Sequence, residues 1–127
     1  MTKILVVDDE ESIRILFKEE LEEEGYKVIT AENGIKALEM IKREKPDLVT
    51  LDIKMPGENG LEILREIREI DYDLPVIICS AYSTFKAKFS TVAADYYLVK
   101  SSELNELKKK IKEVLDKIEE SDSKDSP

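Results

Sequence analysis

With 127 residues, the chain is long enough for one domain, and its single cysteine, Cys79, excludes a disulfide framework within the chain. It contains no histidine, which removes the commonest zinc ligand and the commonest general base. The formal net charge of −9 at pH 7 disfavours direct binding to nucleic acid or to an anionic membrane.

Short, continuous apolar runs recur along the chain and predict strands. They lie at residues 4–7, 48–51, 76–79 and 96–99, with a weaker run at 28–30. Runs of this length that are rich in β-branched residues are typical of parallel strands covered on both faces. Cys79 ends one of these runs, so we interpret it as a small buried apolar residue.

The longer stretches between the strands have the apolar spacing of amphipathic helices. The repeated positions are Ile13, Leu16, Phe17 and Leu21; Ile35, Leu38 and Ile41; Leu61, Leu64 and Ile67; and Leu104, Leu107, Ile111, Leu115 and Ile118. The less regular segment 83–94 is predicted to be a short helix. The sequence therefore alternates strand and helix five times.

Residues that favour helix ends and strand starts occur where this alternation needs them. Ser12, Asn33 and Ser102 are predicted N-caps, and Gly25 is predicted to end the first helix. Pro46 and Pro75 precede strands, where a missing N–H is tolerated.

Five strand–helix units in succession predict an α/β fold with a parallel sheet, right-handed crossovers and helices on both faces, which is a three-layer sandwich. We expect one domain over residues 1–119, followed by a flexible polar tail or the start of a linker at 120–127. The N-terminal apolar stretch is too short for a signal peptide, and no stretch approaches the length of a membrane span. We therefore expect a soluble, cytoplasmic protein.

Charged and hydroxyl side chains follow or end four of the predicted strands. Asp8 and Asp9 follow the first strand, Asp52 ends the third, Ser80 ends the fourth and Lys100 ends the fifth. Because ligands of such sheets bind beyond the carboxyl ends of the strands, we expect these residues to share one cleft.

The chemistry of this cluster favours phosphoryl transfer. Carboxylates that lie close together repel one another, and a hard cation such as Mg²⁺ relieves this repulsion while preferring oxygen ligands. A carboxylate is also a competent phosphoryl acceptor. Lys100 can neutralise the charge of an incoming phosphoryl group, and Ser80 can donate a hydrogen bond to one of its oxygens.

From Lys3 to about Ile118, the chain resembles the receiver domains of two-component response regulators, the CheY-like superfamily. The resemblance rests on residues 4–10 (ILVVDDE), 47–56 (DLVTLDIKMP), Gly60, 80–81 (SA) and 95–100 (DYYLVK). Their order and spacing are more specific than any one of them alone. The resemblance implies a flavodoxin-like sheet with the strand order 2-1-3-4-5.

The same resemblance implies a role for each site residue. Asp52 is the phosphoacceptor, and Asp8, Asp9 and Asp52 hold Mg²⁺, with Asp9 the preferred direct ligand. The backbone carbonyl of Lys54 is a further metal ligand, and Lys100 is the lysine that faces the phosphate. Ser80 is the switch hydroxyl, and Tyr97 is the aromatic switch.

The implied partners are a sensor histidine kinase or a histidine phosphotransfer protein, which donates the phosphoryl group from phosphohistidine. The signal is expected to leave through the face formed by the fourth helix, the fifth strand and the fifth helix. It would reach a downstream effector protein or an output domain outside this sequence. The resemblance implies no enzyme activity beyond the part a receiver takes in its own phosphotransfer and dephosphorylation.

The chain departs from the family pattern in two places. Ser101 follows Lys100 where the family has proline, so we predict a trans Lys100–Ser101 peptide, since cis costs about 2.5–4 kcal/mol without proline. The stretch 80–100 is also roughly two residues shorter than usual, with Ala93 where glycine is frequent.

Other interpretations of these residues stay open. The chain can be a degenerate receiver that is not phosphorylated and serves as a protein-interaction module, or a small phosphohydrolase, although Lys54 stands where such enzymes place a general acid. Asp8 and Asp9 can simply cap the first helix, and Tyr97 can be plain core. The run 108–110 (KKK) is interpreted as the solvated face of a helix.

Overall fold

The computed structural model describes residues 2–52, 60–80, 96–99 and 104–125. The strands are β1 (Lys3–Val7), β2 (Lys27–Ala31), β3 (Leu48–Asp52), β4 (Val76–Ser80) and β5 (Tyr96–Val99). The helices are α1 (Glu11–Glu23), α2 (Gly34–Glu44), α3 (Gly60–Ile70) and a last helix, Leu104–Asp125. All five predicted strands are present, each within one residue of the predicted bounds.

The strands form one parallel sheet in the order β2-β1-β3-β4-β5. β1 lies inside the sheet, where Leu5 pairs with Ile29 of β2 and with Val49 of β3. Parallel strands need crossover connections, and α1, α2 and α3 provide those that link β1 to β2, β2 to β3 and β3 to β4. The flavodoxin-like class predicted from the sequence is confirmed.

The core lies on both faces of this sheet because alternate residues of each strand point to opposite sides. Leu5, Val7 and Ile78 pack with the helices α2 and α3, whereas Ile4 and Ile77 pack with α1 and the last helix. Each of these strand residues is at most 1% exposed. The continuous apolar runs of the sequence therefore have the two-sided burial that they predict.

Two of the predicted helix ends are confirmed, and one is wrong. The Asn33 side chain accepts a hydrogen bond from the Lys36 N–H at 2.9 Å, and Gly25 follows α1 with a φ of 95°. Ser12 is not an N-cap. The helix already begins at Glu11, because the Glu10 carbonyl accepts the Arg14 N–H at 3.1 Å.

Not every apolar residue with helical spacing lies in the core. Leu16 is 43% exposed and Ile35 is 68% exposed. Ile35 is the second residue of α2, and the side of that helix that meets the sheet carries Ala37 and Ile41, which are four residues apart. The apolar spacing thus indicated the helices correctly but overstated the width of their buried faces.

The last helix continues to Asp125. It therefore includes residues 120–125, which the sequence assigned to a polar tail, and the boundary at 119 stays a prediction. The predicted helix at 83–94, the Ser102 cap, Ala93 and the Lys100–Ser101 peptide lie outside the described residues.

Candidate functional site

The predicted site lies where β1, β3 and β4 end. Val7 of β1 pairs with Leu51 of β3, so that Asp8 and Asp52 are the next residue along each chain. Neighbouring strands are about 4.8 Å apart. The backbone therefore brings the first of the paired aspartates next to the predicted phosphoacceptor.

Three hydrogen bonds fix Asp8, which is only 2% exposed. Its N–H donates to the Ala31 carbonyl at 3.2 Å and so extends the contact between β1 and β2 by one residue. Its carboxylate oxygen Oδ1 accepts the Glu10 N–H at 2.9 Å. Its carbonyl accepts a hydrogen bond of 2.7 Å from Nη1 of Arg14.

The N-cap residue of α1 is Glu10, so neither Asp8 nor Asp9 is the N-cap of this helix. Asp8 instead accepts the N–H of Glu10 itself, whereas an N-cap side chain accepts an N–H two or three residues further on. A carboxylate has about four lone-pair sites, so this hydrogen bond is compatible with metal binding by the same group.

Asp9 differs from its neighbour because it is exposed. It lies in the bend between β1 and α1, directly after the buried Asp8. An exposed carboxylate in this loop is accessible to a hydrated cation, which suits Mg²⁺ because this ion keeps several waters in protein sites.

Arg14 is the residue of this region that the sequence analysis missed. It is the fourth residue of α1, in the first turn, where the helix dipole disfavours a cation. Its long side chain turns back to the Asp8 carbonyl. A basic residue in the first turn of a helix that follows an acidic pair is the signal that could have indicated such a contact.

A second charged pair lies beside the end of β2. Glu32 and Lys36 form an ion pair at 2.8 Å. The hydrogen bond and the positive charge of Lys36 lower the pKa of Glu32, and the charge of Arg14 lowers it further. The guanidinium of Arg14 is thus close enough to influence both the β1–α1 loop and the β2–α2 loop.

The remaining site residues are placed by their backbones or lie outside the described residues. Asp52 pairs with Cys79, and Ser80 pairs with Val99 at the end of β5. Tyr97 lies in β5, opposite Ile78. The structure describes these strands but not the side chains of Asp52, Ser80 and Tyr97, and Lys54 and Lys100 lie outside the described residues.

The donor set fits a hard divalent cation. Asp8, Asp9 and Asp52 contribute carboxylates at one edge of the sheet, and carboxylate oxygen is the ligand type that Mg²⁺ prefers. Among the side chains that the structure describes, no three His, Cys, Asp or Glu residues form a group that could hold a metal ion. The Asp52 side chain, which the predicted site requires, is not among them.

Comparison with known proteins identifies the family. The model of the response regulator receiver domain matches residues 4–112. The chain belongs to this family. The match includes both ends of the sheet and every predicted site residue.

Relatives of this receiver domain include both short and long proteins. Sporulation initiation phosphotransferase F of Bacillus subtilis is 39% identical over 115 residues, which cover 89% of this chain and 93% of that protein. Response regulator MprA of Mycobacterium leprae is 35% identical over 126 residues, which cover 98% of this chain. The receiver domain spans about half of MprA, namely 55% of its length.

Solved structures share the fold of this receiver domain. The response regulator TrrA of Thermotoga maritima, crystallised with Mg²⁺-BeF, is 52% identical, with a TM-score of 0.83 over 89% of this chain and 98% of that one. TrrA has also been crystallised in complex with the histidine kinase ThkA, with a TM-score of 0.82 over 91% of this chain and 99% of TrrA. A CheY-like receiver from Methanospirillum hungatei is 32% identical, with a TM-score of 0.89 over 95% of this chain and 98% of that one.

The comparisons confirm the family that the sequence resemblance indicated, and with it membership of two-component signalling. They indicate a family of phosphoacceptors and no separate enzyme family. Within the described ranges, no helix is both long and apolar enough to cross a membrane.

Proposed function

We propose that this receiver domain accepts a phosphoryl group on Asp52 from a phosphohistidine, in a step that depends on Mg²⁺. An oxygen of the Asp52 carboxylate attacks phosphorus while the bond from phosphorus to the imidazole nitrogen breaks. The products are an aspartyl phosphate and a histidine that recovers its proton from solvent. Removal of the phosphoryl group by water restores the carboxylate.

The observation that carries the proposal is that Asp8 and Asp52 each directly follow one member of a residue pair on neighbouring strands. Val7 and Leu51 are the last pair of the β1–β3 register, and an acidic residue follows each of them along the chain. Asp8 is buried, and two carboxylates that lie close together repel each other, which a bound divalent cation relieves. A site that binds Mg²⁺ for phosphoryl transfer therefore suits this pair of carboxylates.

The residues divide the remaining work. Asp8, Asp9, Asp52 and the Lys54 carbonyl would hold the ion, and bound Mg²⁺ supplies charge neutralisation for the phosphoryl oxygens. The ammonium of Lys100 neutralises further charge, and the hydroxyl of Ser80 donates a hydrogen bond to a phosphoryl oxygen. Ser80 and Tyr97 report the modification to the face that contains β5 and the last helix.

The partner that we propose is the cytoplasmic part of a sensor histidine kinase, or a histidine phosphotransfer protein. Support comes from TrrA, which is 52% identical to this chain and has been crystallised with the histidine kinase ThkA. The receiver would accordingly act in the cytoplasm and pass its signal to an effector protein or output domain.

The test is incubation with acetyl phosphate and Mg²⁺, followed by intact mass measurement. The wild type should gain one phosphoryl group, and Asp52→Asn should gain none because the amide is not nucleophilic. Asp47→Asn is the matched control. Asp47 lies just before β3, at the opposite end from Asp52, and its carboxylate accepts the Lys3 N–H at 2.8 Å, which an amide oxygen can also do.

Two results would contradict the assignment. Phosphorylation of Asp52→Asn at the wild-type rate would place the acceptor elsewhere. A folded wild type that gains no phosphoryl group from acetyl phosphate or from a histidine kinase would favour the interaction module instead. Phosphate release with many turnovers and no retained phosphoryl group would favour the phosphohydrolase.

A further inference from the structure

Arg14 makes a contact that the proposed phosphoryl transfer does not itself require. Its Nη1 donates a 2.7 Å hydrogen bond to the carbonyl of Asp8. That carbonyl belongs to the peptide group between Asp8 and Asp9. A bond to it therefore fixes the orientation of the peptide plane that precedes Asp9.

The position of Arg14 in α1 makes this contact notable. The first turn of a helix favours acidic residues, and Arg14 follows Glu10 and Glu11 there. The charge of Arg14 also lowers the pKa of the Glu32 carboxyl, so acidic groups attract the guanidinium to this region. Its hydrogen bond to the Asp8 carbonyl is directional and fixes one donor on one backbone oxygen, which charge attraction alone does not do.

The bonds around Asp8 act on the same short loop from three sides. The Ala31 carbonyl fixes the Asp8 N–H, the Glu10 N–H fixes its carboxylate, and Arg14 fixes its carbonyl. Without the third bond, the peptide group after Asp8 can rotate, and the Glu10 N–H would lose its alignment with Oδ1. The side chain of Asp9 would then point in more than one direction.

We propose that Arg14 is a positioning residue of the metal site, which orders the Asp8–Asp9 peptide before any ion binds. This inference rests on the proposed function, because it assigns Asp8 and Asp9 to the ion. In this role the guanidinium is not itself a ligand of the ion and acts through its bond to the loop. Bonds of this indirect kind typically change metal affinity by about 10–100-fold.

The sharpest test compares Arg14→Met with Lys18→Gln. Arg14→Met keeps the apolar stem and removes both the donor and the charge. Lys18→Gln removes one positive charge from an exposed position of the same helix, one turn further on. A loss that is specific to Arg14→Met therefore reports the hydrogen bond and not the net charge.

The first measurement uses metal-free protein and so needs neither Mg²⁺ nor phosphorylation. Amide hydrogen exchange at Glu10 should be about tenfold faster in Arg14→Met, because the Glu10 N–H bond to Asp8 depends on the ordered loop. Exchange at Leu5, in the centre of β1, should equal that of the wild type and shows that the variant is folded. Lys18→Gln should equal the wild type at both amides.

The second measurement is the Mg²⁺ dependence of phosphorylation by acetyl phosphate. Arg14→Met should need about ten times more Mg²⁺ for its half-maximal rate and should approach the wild-type rate at saturation. Arg14→Lys keeps the charge on a shorter stem without the planar donor. It should recover less than half of the lost affinity.

Three results would overturn the inference: wild-type exchange at Glu10 in Arg14→Met, equal losses in Arg14→Met and Lys18→Gln, or full recovery in Arg14→Lys. The last two would assign the effect to charge alone. Failure of the proposed function is a different result, because the wild type itself would then take up no phosphoryl group while the exchange at Glu10 still reports on Arg14.

Discussion

Asp8 and Asp9 are neighbours in sequence but have different surroundings. Asp8 is 2% exposed and held through its N–H, its carbonyl and its carboxylate, whereas Asp9 is exposed in the bend that follows. Asp8 is therefore part of the frame of the site, while Asp9 is accessible to ions in solution. Substitutions at the two positions should consequently have different effects.

Asp9→Ala should be more stable than the wild type without Mg²⁺, because one of the repelling carboxylates is gone. The wild type should gain about 1.4 kcal/mol of unfolding free energy at ten times the dissociation constant for Mg²⁺, and Asp9→Ala should gain much less. Urea unfolding with and without Mg²⁺ measures both effects.

Glu11→Ala is the control for this experiment, since it removes an exposed carboxylate from the first turn of α1. It should respond to Mg²⁺ as the wild type does. Equal Mg²⁺ responses of Asp9→Ala and the wild type would refute Asp9 as a ligand.

At the scale of single elements, two helices are each followed by a residue with a positive φ, a glycine in one case and a lysine in the other. α1 is followed by Gly25, with a φ of 95° and open space where a Cβ would be. α2 ends at Glu44 and is followed by its C-cap Lys45, with a φ of 49° and ψ of 62°, where a residue with a side chain adopts the conformation that glycine favours. Lys45 is exposed and is followed by Pro46, which cannot continue the helix.

Lys45→Gly should stabilise the protein by about 0.5 kcal/mol. Relief of the left-handed conformation is worth about 1–2 kcal/mol, and the greater freedom of glycine in the unfolded chain offsets part of it. Gly25→Ala should destabilise by about 1 kcal/mol, with Gly25→Asn losing less because asparagine tolerates positive φ. Urea midpoints of the three variants measure this pattern, and a loss of stability in Lys45→Gly would contradict it.

The sequence predicted these elements where local signals were sufficient. The apolar runs gave β1 and β4, and the side chain of Asn33 caps α2 as expected. The first cap was misassigned to Ser12, because a residue type that favours caps does not show where the helix begins, and α1 begins at Glu11 with Glu10 as its N-cap. The Arg14 bond was missed for a similar reason, since a backbone carbonyl is the acceptor and every residue has one.

The whole molecule is held together partly by a charged contact between its first and last helices. Lys108 of the last helix lies 2.8 Å from a carboxylate oxygen of Glu20 in α1 and 3.6 Å from one of Glu24, which follows that helix. Its side chain is only 18% exposed. The sequence interpretation of residues 108–110 as the solvated face of a helix did not include this contact of Lys108, because periodicity alone does not show which lysine meets α1.

This contact and a nearby tyrosine predict a loss of stability at high pH. The hydrogen bond that Lys108 donates to Glu20 raises the pKa of Lys108 above its ordinary 10.5. Burial, with the charges of Glu24 and Asp116, raises the pKa of Tyr26 above 10.0. A raised folded-state pKa stabilises the fold fully below the unfolded-state value. This stability is lost as the pH rises through the folded-state value, so the decline should begin above about pH 10.

Lys108→Met should lower the Tm by about 1–4 °C at pH 8 and show a smaller decline above pH 10 than the wild type. Lys109→Met removes an exposed charge from the adjacent position and should differ little from the wild type at either pH. Melting curves from pH 8 to about pH 11 compare the three proteins, and identical curves for both variants would refute the contact with α1 as the source.

The unbroken last helix also matters for anything joined to its end. Each residue of an α-helix turns the chain by about 100° and advances it by about 1.5 Å. A rigid helical reporter fused in phase after Asp125 would therefore inherit a fixed direction from the sheet, since Ile111 anchors the same helix in the core. Inserting two residues would swing that reporter to nearly the opposite side, whereas seven would return it close to its first bearing.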